Sequence, residues 1–484
     1  MSIKQLYQYS QGKRNLVILL LLVSAFSFSC KKDTTITSSS AKLSFSQTSV
    51  LFDTVFTTLG STVQAFLVRN THNQPITISS VYLAGNYTSP FKINIDGVPG
   101  TTFSNITVPA NDSIFVFVTC TINPTNKNNP IVIEDSLMFT TNGNVQSVYL
   151  EAWGQDANFF KPNVFPPTGP AYCVIPCSST WDSTKPYVIY GYALVNTGCT
   201  LTIKPGTKIY MHNNGVLWVN TGATLNVNGV AGHPVIFQGD RLEPAYQTVP
   251  GQWGEILLSP GSINNTITWA VIKNGTNGIE CDTVGNSSPT LTIDHTIIKS
   301  MSNFGLLGQG TYITGNDLLI EDCQFYSLCL NIGGKYRFNQ CTFTNYWSYA
   351  KRQTSLLYIN NYYNDINNNV QSRDMDSATF YNCIIWGSSS EEVDLGQGGT
   401  GKFNYYFGNC DIETQRSIVA GVNYNNFCLQ VDPGFLGTSE PPNDNYRVSN
   451  SSVMGQGTNI YGSYLLDLDN TTRKYPSTMG AYEN

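Results

Sequence analysis

An apolar residue, two variable positions, a small residue, one variable position and a second apolar residue recur six times between positions 267 and 412. The copies are 267–272 around Ala270, 293–298 around Thr296, 320–325 around Cys323, 338–343 around Cys341, 380–385 around Cys383 and 407–412 around Cys410. The small anchors stand 26, 27, 18, 42 and 27 positions apart. A unit this short has no core of its own and must stack on its neighbours. Its residues are β-branched and aromatic, with Asn, Asp and Gly between short apolar runs and no helical spacing over a helical length. Two residues between the first apolar position and the small one break strict alternation, as a bend between two inward-facing strands would. The pattern predicts a solenoid of strands, a β-helix. The 42-residue spacing between Cys341 and Cys383 calls for an added coil, an insertion or both.

Upstream, apolar runs over 63–69, 76–83, 91–95, 114–120, 136–140 and 145–152 alternate with turn signals such as Pro99-Gly100 and Asn142-Gly143, predicting a β-sandwich. Pro162, Pro166, Pro167 and Pro170 disfavour helix and predict a stiff connection. Short strands separated by glycines resume over 187–237. The chain therefore divides into a leader over 1–29, a tether over 30–41, a sandwich over 42–157, a Pro-rich linker and cap over 158–180, and a β-helix with a capping segment over 181–484. The fold class predicted for the sandwich and the β-helix is all-β.

Lys4, Lys13 and Arg14 precede an apolar run over 16–28 whose polar members are Ser24 and Ser27. Such a run is a signal peptide, too short to span a bilayer, which takes about 20 residues. Ser27, Phe28 and Ser29 before Cys30 resemble the lipobox of bacterial lipoproteins, with Ser27 where that family prefers Leu. The resemblance implies lipidation of Cys30, with a multiply acylated Cys giving a stable membrane anchor. Lys31, Lys32 and Asp33 resemble the charged tripeptide of surface-exposed lipoproteins, implying the outer membrane and its outer face.

Two further resemblances concern architecture. The ordered elements Phe52-Asp53-Thr54-Val55, Val68-Arg69-Asn70, Ile78-Ser79-Ser80-Val81, Asn142-Gly143 and Ala152-Trp153-Gly154-Gln155 resemble immunoglobulin-like modules of the abnormal-spindle and hydin type. They imply a spacer or docking module without an active site. The run 200–207 followed by Gly222-Ala223-Thr224, and the closing Asp432-Pro433-Gly434-Phe435, Asp467-Leu468-Asp469, Arg473 and Met479-Gly480-Ala481-Tyr482-Glu483, resemble secreted right-handed parallel β-helix proteins of the pectate-lyase-like superfold. The fold class expected is thus an immunoglobulin-like β-sandwich followed by a right-handed parallel β-helix.

Charged residues make up 12% of the chain and the net charge is -6, so no basic surface points to nucleic acid and the partner expected is neutral or weakly charged. Of the 12 Cys, Cys30 is assigned to lipid. Cys323, Cys341, Cys383 and Cys410 take the small inward position, as a ladder of buried thiols. Cys173, Cys177 and Cys199 are the disulfide candidates for an oxidising envelope, with the pairing open.

Candidate chemistry concentrates in and after the long spacing. Tyr346, Trp347, Tyr349, Tyr358, Tyr362 and Tyr363, interleaved with Lys351 and Arg352, suit sugar rings, whose apolar faces stack on aromatics while their hydroxyls seek polar groups. Packing across the solenoid is the alternative for the same residues. Glu391, Glu392 and Asp394 are a candidate Ca²⁺ set, supplying part of the oxygen shell, with a solvated charge cluster as the alternative. No Gly-His-Gly motif of the polygalacturonase type occurs, and His72, His212, His233 and His295 are isolated in sequence. Three functions stay open: a non-catalytic lipid-anchored protein binding polysaccharide or a surface protein, a lyase acting on uronate glycans, and a structural rod. The lyase requires carboxylates and cations converging on one open face.

Overall fold

The computed structural model describes residues 34–124, 131–282, 287–425, 427–438, 444–458 and 466–483. The leader and Cys30 lie outside the described residues, among which no helix is long and apolar enough to cross a membrane. The chain falls into two compact units, one reaching Gly154 and the other beginning at Gln155.

The first unit is a sandwich of two five-stranded antiparallel sheets. One pairs Ser44–Phe45, Gln64–Arg69, Ser113–Cys120, Phe91–Ile95 and Val98–Gly100 in that order. The other pairs Ser49–Phe56, Asn144–Gln155, Ile131–Thr141, Ile76–Leu83 and Thr102–Val108. Alternate residues of both sheets, Phe52, Phe66, Ile78, Phe91, Val118, Phe139 and Leu150 among them, form one core, as alternation in half-buried strands dictates. Asn142 and Gly143 both have positive φ, 51° and 78°, the tight turn that Asn-Gly favours between antiparallel strands.

The second unit is a parallel β-helix with three ladders. The first stacks Thr200–Ile203, Thr224–Asn228, Asn265–Thr268, Leu291–Asp294, Tyr312–Asn316, Gly334–Asn339, Met375–Tyr381 and Phe403–Gly408. The second stacks Val235–Gly239, Ala270–Lys273, Ile297–Met301, Leu319–Cys323, Thr342–Asn345, Ile384–Gly387 and Asp411–Ile412. The third stacks Ile256–Leu258, Ile279–Cys281, Phe304–Gln309, Tyr326–Asn331, Leu357–Asn360 and Val393–Gly396. The bend predicted inside each repeat separates first and second ladders at Trp269, His295, Asp317, Gln340, Asn382 and Asn409, all with positive φ. Asn and Asp enter that region most readily because their short polar side chains bond locally.

One copy of the pattern is out of register. Cys323 pairs with Met301 near the end of the second ladder, while Leu319 pairs with Ile297 and with Thr342. The residue equivalent to Thr296 and Cys341 is therefore Leu318, and the equivalent of Ile293 and Phe338 is Gly315. This coil exchanges large for small: a side chain at Gly315 would strike Phe338 and Leu318. Leu318 fills the volume that Gly315 leaves, so a search for large-then-small passes over it. The thiol ladder consequently has three rungs, Cys341, Cys383 and Cys410, each thiol donating to a backbone carbonyl two residues earlier, Asn339 O, Tyr381 O and Gly408 O, and Cys323 stands apart.

The 42-residue spacing holds no extra coil, because Gly334–Asn339 pairs directly with Met375–Tyr381. It carries a loop over 346–356 and an antiparallel strand pair, Tyr362–Asn364 with Val370–Ser372. The Pro-rich stretch expected to be a linker also contributes rungs, Asn158–Phe160 and Tyr172–Val174 pairing in parallel with Tyr187–Val195. Of the three disulfide candidates, Cys177 and Cys199 are bonded and Cys173 is a buried thiol. Closing a loop 22 residues long restricts the unfolded chain, so Cys199→Ser should lower stability by about 3 kcal/mol, seen as an earlier urea midpoint that matches the wild type under reducing conditions.

The closing signature does not stack on the last coil. It runs along the column of bends and is held by the bend residues: His295 Nε2 meets Leu466 O at 3.3 Å, and Arg473 pairs with Asp317. Gln340 donates to Ser477 Oγ at 2.6 Å, Gly480 N to Asn382 O at 2.8 Å and Asn409 Nδ2 to Gln456 O at 2.7 Å. Asp467 accepts from the amides of Asp469, Thr471 and Glu483, which makes it a turn cap. This strap and the strand pair Phe435–Gly437 with Asn445–Val448 cover the outer side of the second ladder, burying Leu319, Ile384, Tyr446, Val448 and Met479.

Candidate functional site

With the second ladder covered, the third presents the richest outer surface. Ile256 and Leu258, Ile279 and Cys281, and Leu217 and Val219 point inward and are fully buried, so Glu255, Glu280, Asp282 and Trp218 point outward by alternation. Strand register places Trp218, Leu257, Glu280, Leu307, Cys329, Tyr358 and Asp394 in one column. Trp218 and Glu280 are two rungs apart, about 10 Å at the strand spacing of a sheet.

Three carboxyl groups converge on that column. Asn277 Nδ2 donates to Glu255 Oε2 at 2.5 Å and to Glu280 Oε2 at 3.4 Å. Gln309 Nε2 donates to Glu280 Oε1 at 3.1 Å and to Asp282 Oδ1 at 3.0 Å. Burial first, and then the facing carboxylates of Glu255 and Asp282, push Glu280 up to about 8. Asp282 is also raised, by burial. Like charges this close do not all ionise together, so Glu280 carries a proton at neutral pH. Beside the cluster, Trp218 is flanked by Tyr192 and Tyr172, edge-on at 6.1 and 6.2 Å, and donates to Ser259 Oγ at 2.7 Å. On the other side Phe304, Tyr326 and Tyr358 form a stack, with centroids 6.0 and 5.2 Å apart.

The eight residues proposed from sequence for sugar contact do not form one surface. Trp347 is 9% exposed and Tyr346 is pinned against Tyr446 and Phe435 beneath the covering strand pair. Tyr349 is exposed, packs on Trp347 at 5.1 Å and donates to Thr248 O at 2.9 Å. Lys351 is exposed at the loop tip. Arg352 is buried and spends its guanidinium on Glu392, Thr354 O, Asn345 O and Ser388 Oγ. Tyr362 and Tyr363 belong to the inserted strand pair, Tyr363 facing Arg373 at 6.0 Å. Tyr358 alone of the eight joins the third-ladder column.

The proposed Ca²⁺ set also separates. Glu392 is fully buried and saturated by Arg352 and by the amides of Leu356 and Ser389. Glu391 accepts from Thr414 Oγ1 at 2.7 Å, and Asp394 lies beside Tyr358 in the column. Among the described residues, the groups whose ligand atoms do converge are Asp294, His295 and Asp317, and Glu321, Asp322 and Asp444. The acidic face was missed because its members come from different coils. The local signal was Ile279-Glu280-Cys281-Asp282, two acids alternating with two buried residues.

Residues 174–272 match the family described as pectate-lyase like beta helix domain, a stretch that contains Trp218 and Glu255 and ends short of Glu280. No curated protein matches the chain in sequence. Solved structures similar to it include the catalytic unit of an alpha-1,3-glucanase of glycoside hydrolase family 87 from Streptomyces thermodiastaticus, 11% identical over 75% of this chain and 88% of that one, with a TM-score of 0.21. The ASH / PapD-like domain of human CEP192 is 10% identical over 27% of this chain and 95% of that one, with a TM-score of 0.18. A family 123 glycoside hydrolase from Clostridium perfringens is 10% identical over 25% of this chain, which spans 30% of that enzyme, with a TM-score of 0.18.

Proposed function

We propose that this is a polysaccharide-binding envelope protein, lipid-anchored at Cys30 and spaced from the membrane by its sandwich, that holds a glycan along the third ladder. The observation that carries the reading is the Trp218, Tyr192 and Tyr172 cluster standing beside the hydrogen-bonded carboxyl and amide groups of Glu255, Glu280, Asp282, Asn277 and Gln309 on one outer face. Aromatic faces supply stacking and the polar groups supply orientation. The six third-ladder strands contain no lysine or arginine, so the face suits neutral or basic sugars and repels uronates. That weighs against the uronate lyase, whose required side-chain cations do not join the carboxylates.

A second reading, hydrolysis, is favoured by the protonated state of Glu280. Glu280 would protonate the leaving glycosidic oxygen, while the base that takes a proton from attacking water would have to stand about 6.5–9.5 Å away, farther than Glu255 and Asp282, which hydrogen-bond to Glu280. Retention of the full chain on a panel of neutral, basic and uronate polysaccharides, with product analysis, tests both. Trp218→Ala should weaken retention by about 1–3 kcal/mol, the range of a buried aromatic contact, without loss of folding. Unchanged retention sinks the site. Cleavage that fails above a pH of about 8 and in Glu280→Gln would make the protein a hydrolase.

A further inference from the structure

The covered side of the second ladder contains a group of acids that the glycan reading does not use. Glu321 faces out of Leu319–Cys323 and is 2% exposed beneath the covering strand pair. Asp322 follows it at a positive-φ bend and accepts the amide of Tyr346 at 2.8 Å. Asp444 stands at the start of the covering strand Asn445–Val448. One carboxylate oxygen from each lies within 4.8 Å of the others, the separation that oxygens around one Ca²⁺ adopt when each is about 2.3–2.6 Å from the ion.

Acids gather for many reasons, and two further observations point to a ligand. Glu321 Oε2 is buried without a hydrogen-bond partner, and so is the hydroxyl of Tyr446, a residue 2% exposed. Tyr446 packs with Leu319, two residues before Glu321, and on Tyr346 at 6.3 Å, whose amide Asp322 holds, so its hydroxyl is buried in the same covered place. Lys299 Nζ is 3.2 Å from Glu321 Oε1, and the Arg352 charge also acts on Asp322. The cluster of Asp294, His295 and Asp317 differs, because Arg473 already answers it.

We propose that Glu321, Asp322 and Asp444 ligate one divalent cation of the hard, oxygen-preferring class, which clamps the strand pair Phe435–Gly437 and Asn445–Val448 onto the second ladder. Oxygen-only ligands select Ca²⁺ or Mg²⁺ over softer metals.

Tb³⁺, a luminescent stand-in for Ca²⁺ that tyrosines excite, tests this on the full chain because Tyr446 and Tyr346 adjoin the site. Tyrosine-sensitised luminescence should appear on titration and be displaced by Ca²⁺, with the excess of Mg²⁺ needed reporting selectivity between the two. Glu321→Gln and Asp444→Asn should each weaken binding at least about tenfold, since affinity follows the count of charged ligands, while Glu280→Gln leaves it unchanged. Asp444 is partly exposed, so its variant stays informative if the Glu321 variant does not fold. A chelator at pH 8 should advance the urea midpoint of the wild type, with Ca²⁺ restoring it. Absence of luminescence, its persistence in both variants, or its loss in Glu280→Gln alone would overturn the proposal.

Discussion

Arg473→Ala should destabilise the second unit by about 3–5 kcal/mol, the cost of leaving buried charge without its partner. Arg473 is 4% exposed, its guanidinium touches Asp317, donates to Gly480 O at 3.1 Å and stands 3.7 Å from Glu483. Asp317 is itself fully buried. Removing the cation leaves two carboxylates facing one another under the strap and frees the turn that Glu483 caps at Thr478. Limited proteolysis should cut first within 466–483, and urea unfolding should begin earlier. The double variant Arg473→Met with Asp317→Asn should recover part of the loss, because it removes the uncompensated charge as well as the pair. Equal losses in the single and double variants would show that packing of the arginine stem, and not its charge, holds the strap.

Phe380→Ala should cost a similar amount, about 3–5 kcal/mol for a large aromatic truncated in a packed core. Phe380 is fully buried between Phe338 and Phe407, with centroids 5.5 and 4.9 Å away, and Phe343 meets it edge-on at 6.1 Å. In a solenoid each coil touches chiefly its neighbours, so the damage should stay local. Hydrogen exchange should accelerate in Met375–Tyr381 and Phe403–Gly408 and stay unchanged in Thr200–Ile203 and Thr224–Asn228. Uniform acceleration along the β-helix would mean that its coils unfold as one unit. Phe380→Leu should keep more stability than Ala by refilling part of the cavity.

The ladders were legible in the sequence because their inward columns repeat: Ile267, Ile293, Phe338, Phe380 and Phe407 stack as the pattern demanded. Gly315 and Leu318 escaped because they conserve volume across two positions while reversing the sizes at each. The strap's residues were visible as a signature, but nothing local reports that Arg473 belongs beside Asp317, 156 residues earlier. The aromatic segment was conspicuous by composition, yet composition does not distinguish Tyr346 beneath a covering strand from Tyr358 on an open ladder. Glu255, Glu280 and Asp282 become one group only once coil lengths are known, because outward positions carry no repeat of their own.

The strap has a consequence for how such a chain changes over generations. From Leu466 to Gly480 it reaches, in order, bends at His295, Asp317, Gln340 and Asn382, its length matching that number of rungs, while Gln456 upstream of it holds the bend at Asn409. It is a ruler: gaining or losing a coil between Leu291 and Asp411 would move every later bend by about 4.8 Å and break each contact beyond the change. Coils before Leu291 lie outside the measured span and are free to be duplicated or deleted. Growth of this β-helix is thus confined to the coils on its N-terminal side, where Trp218 and Glu255 already stand.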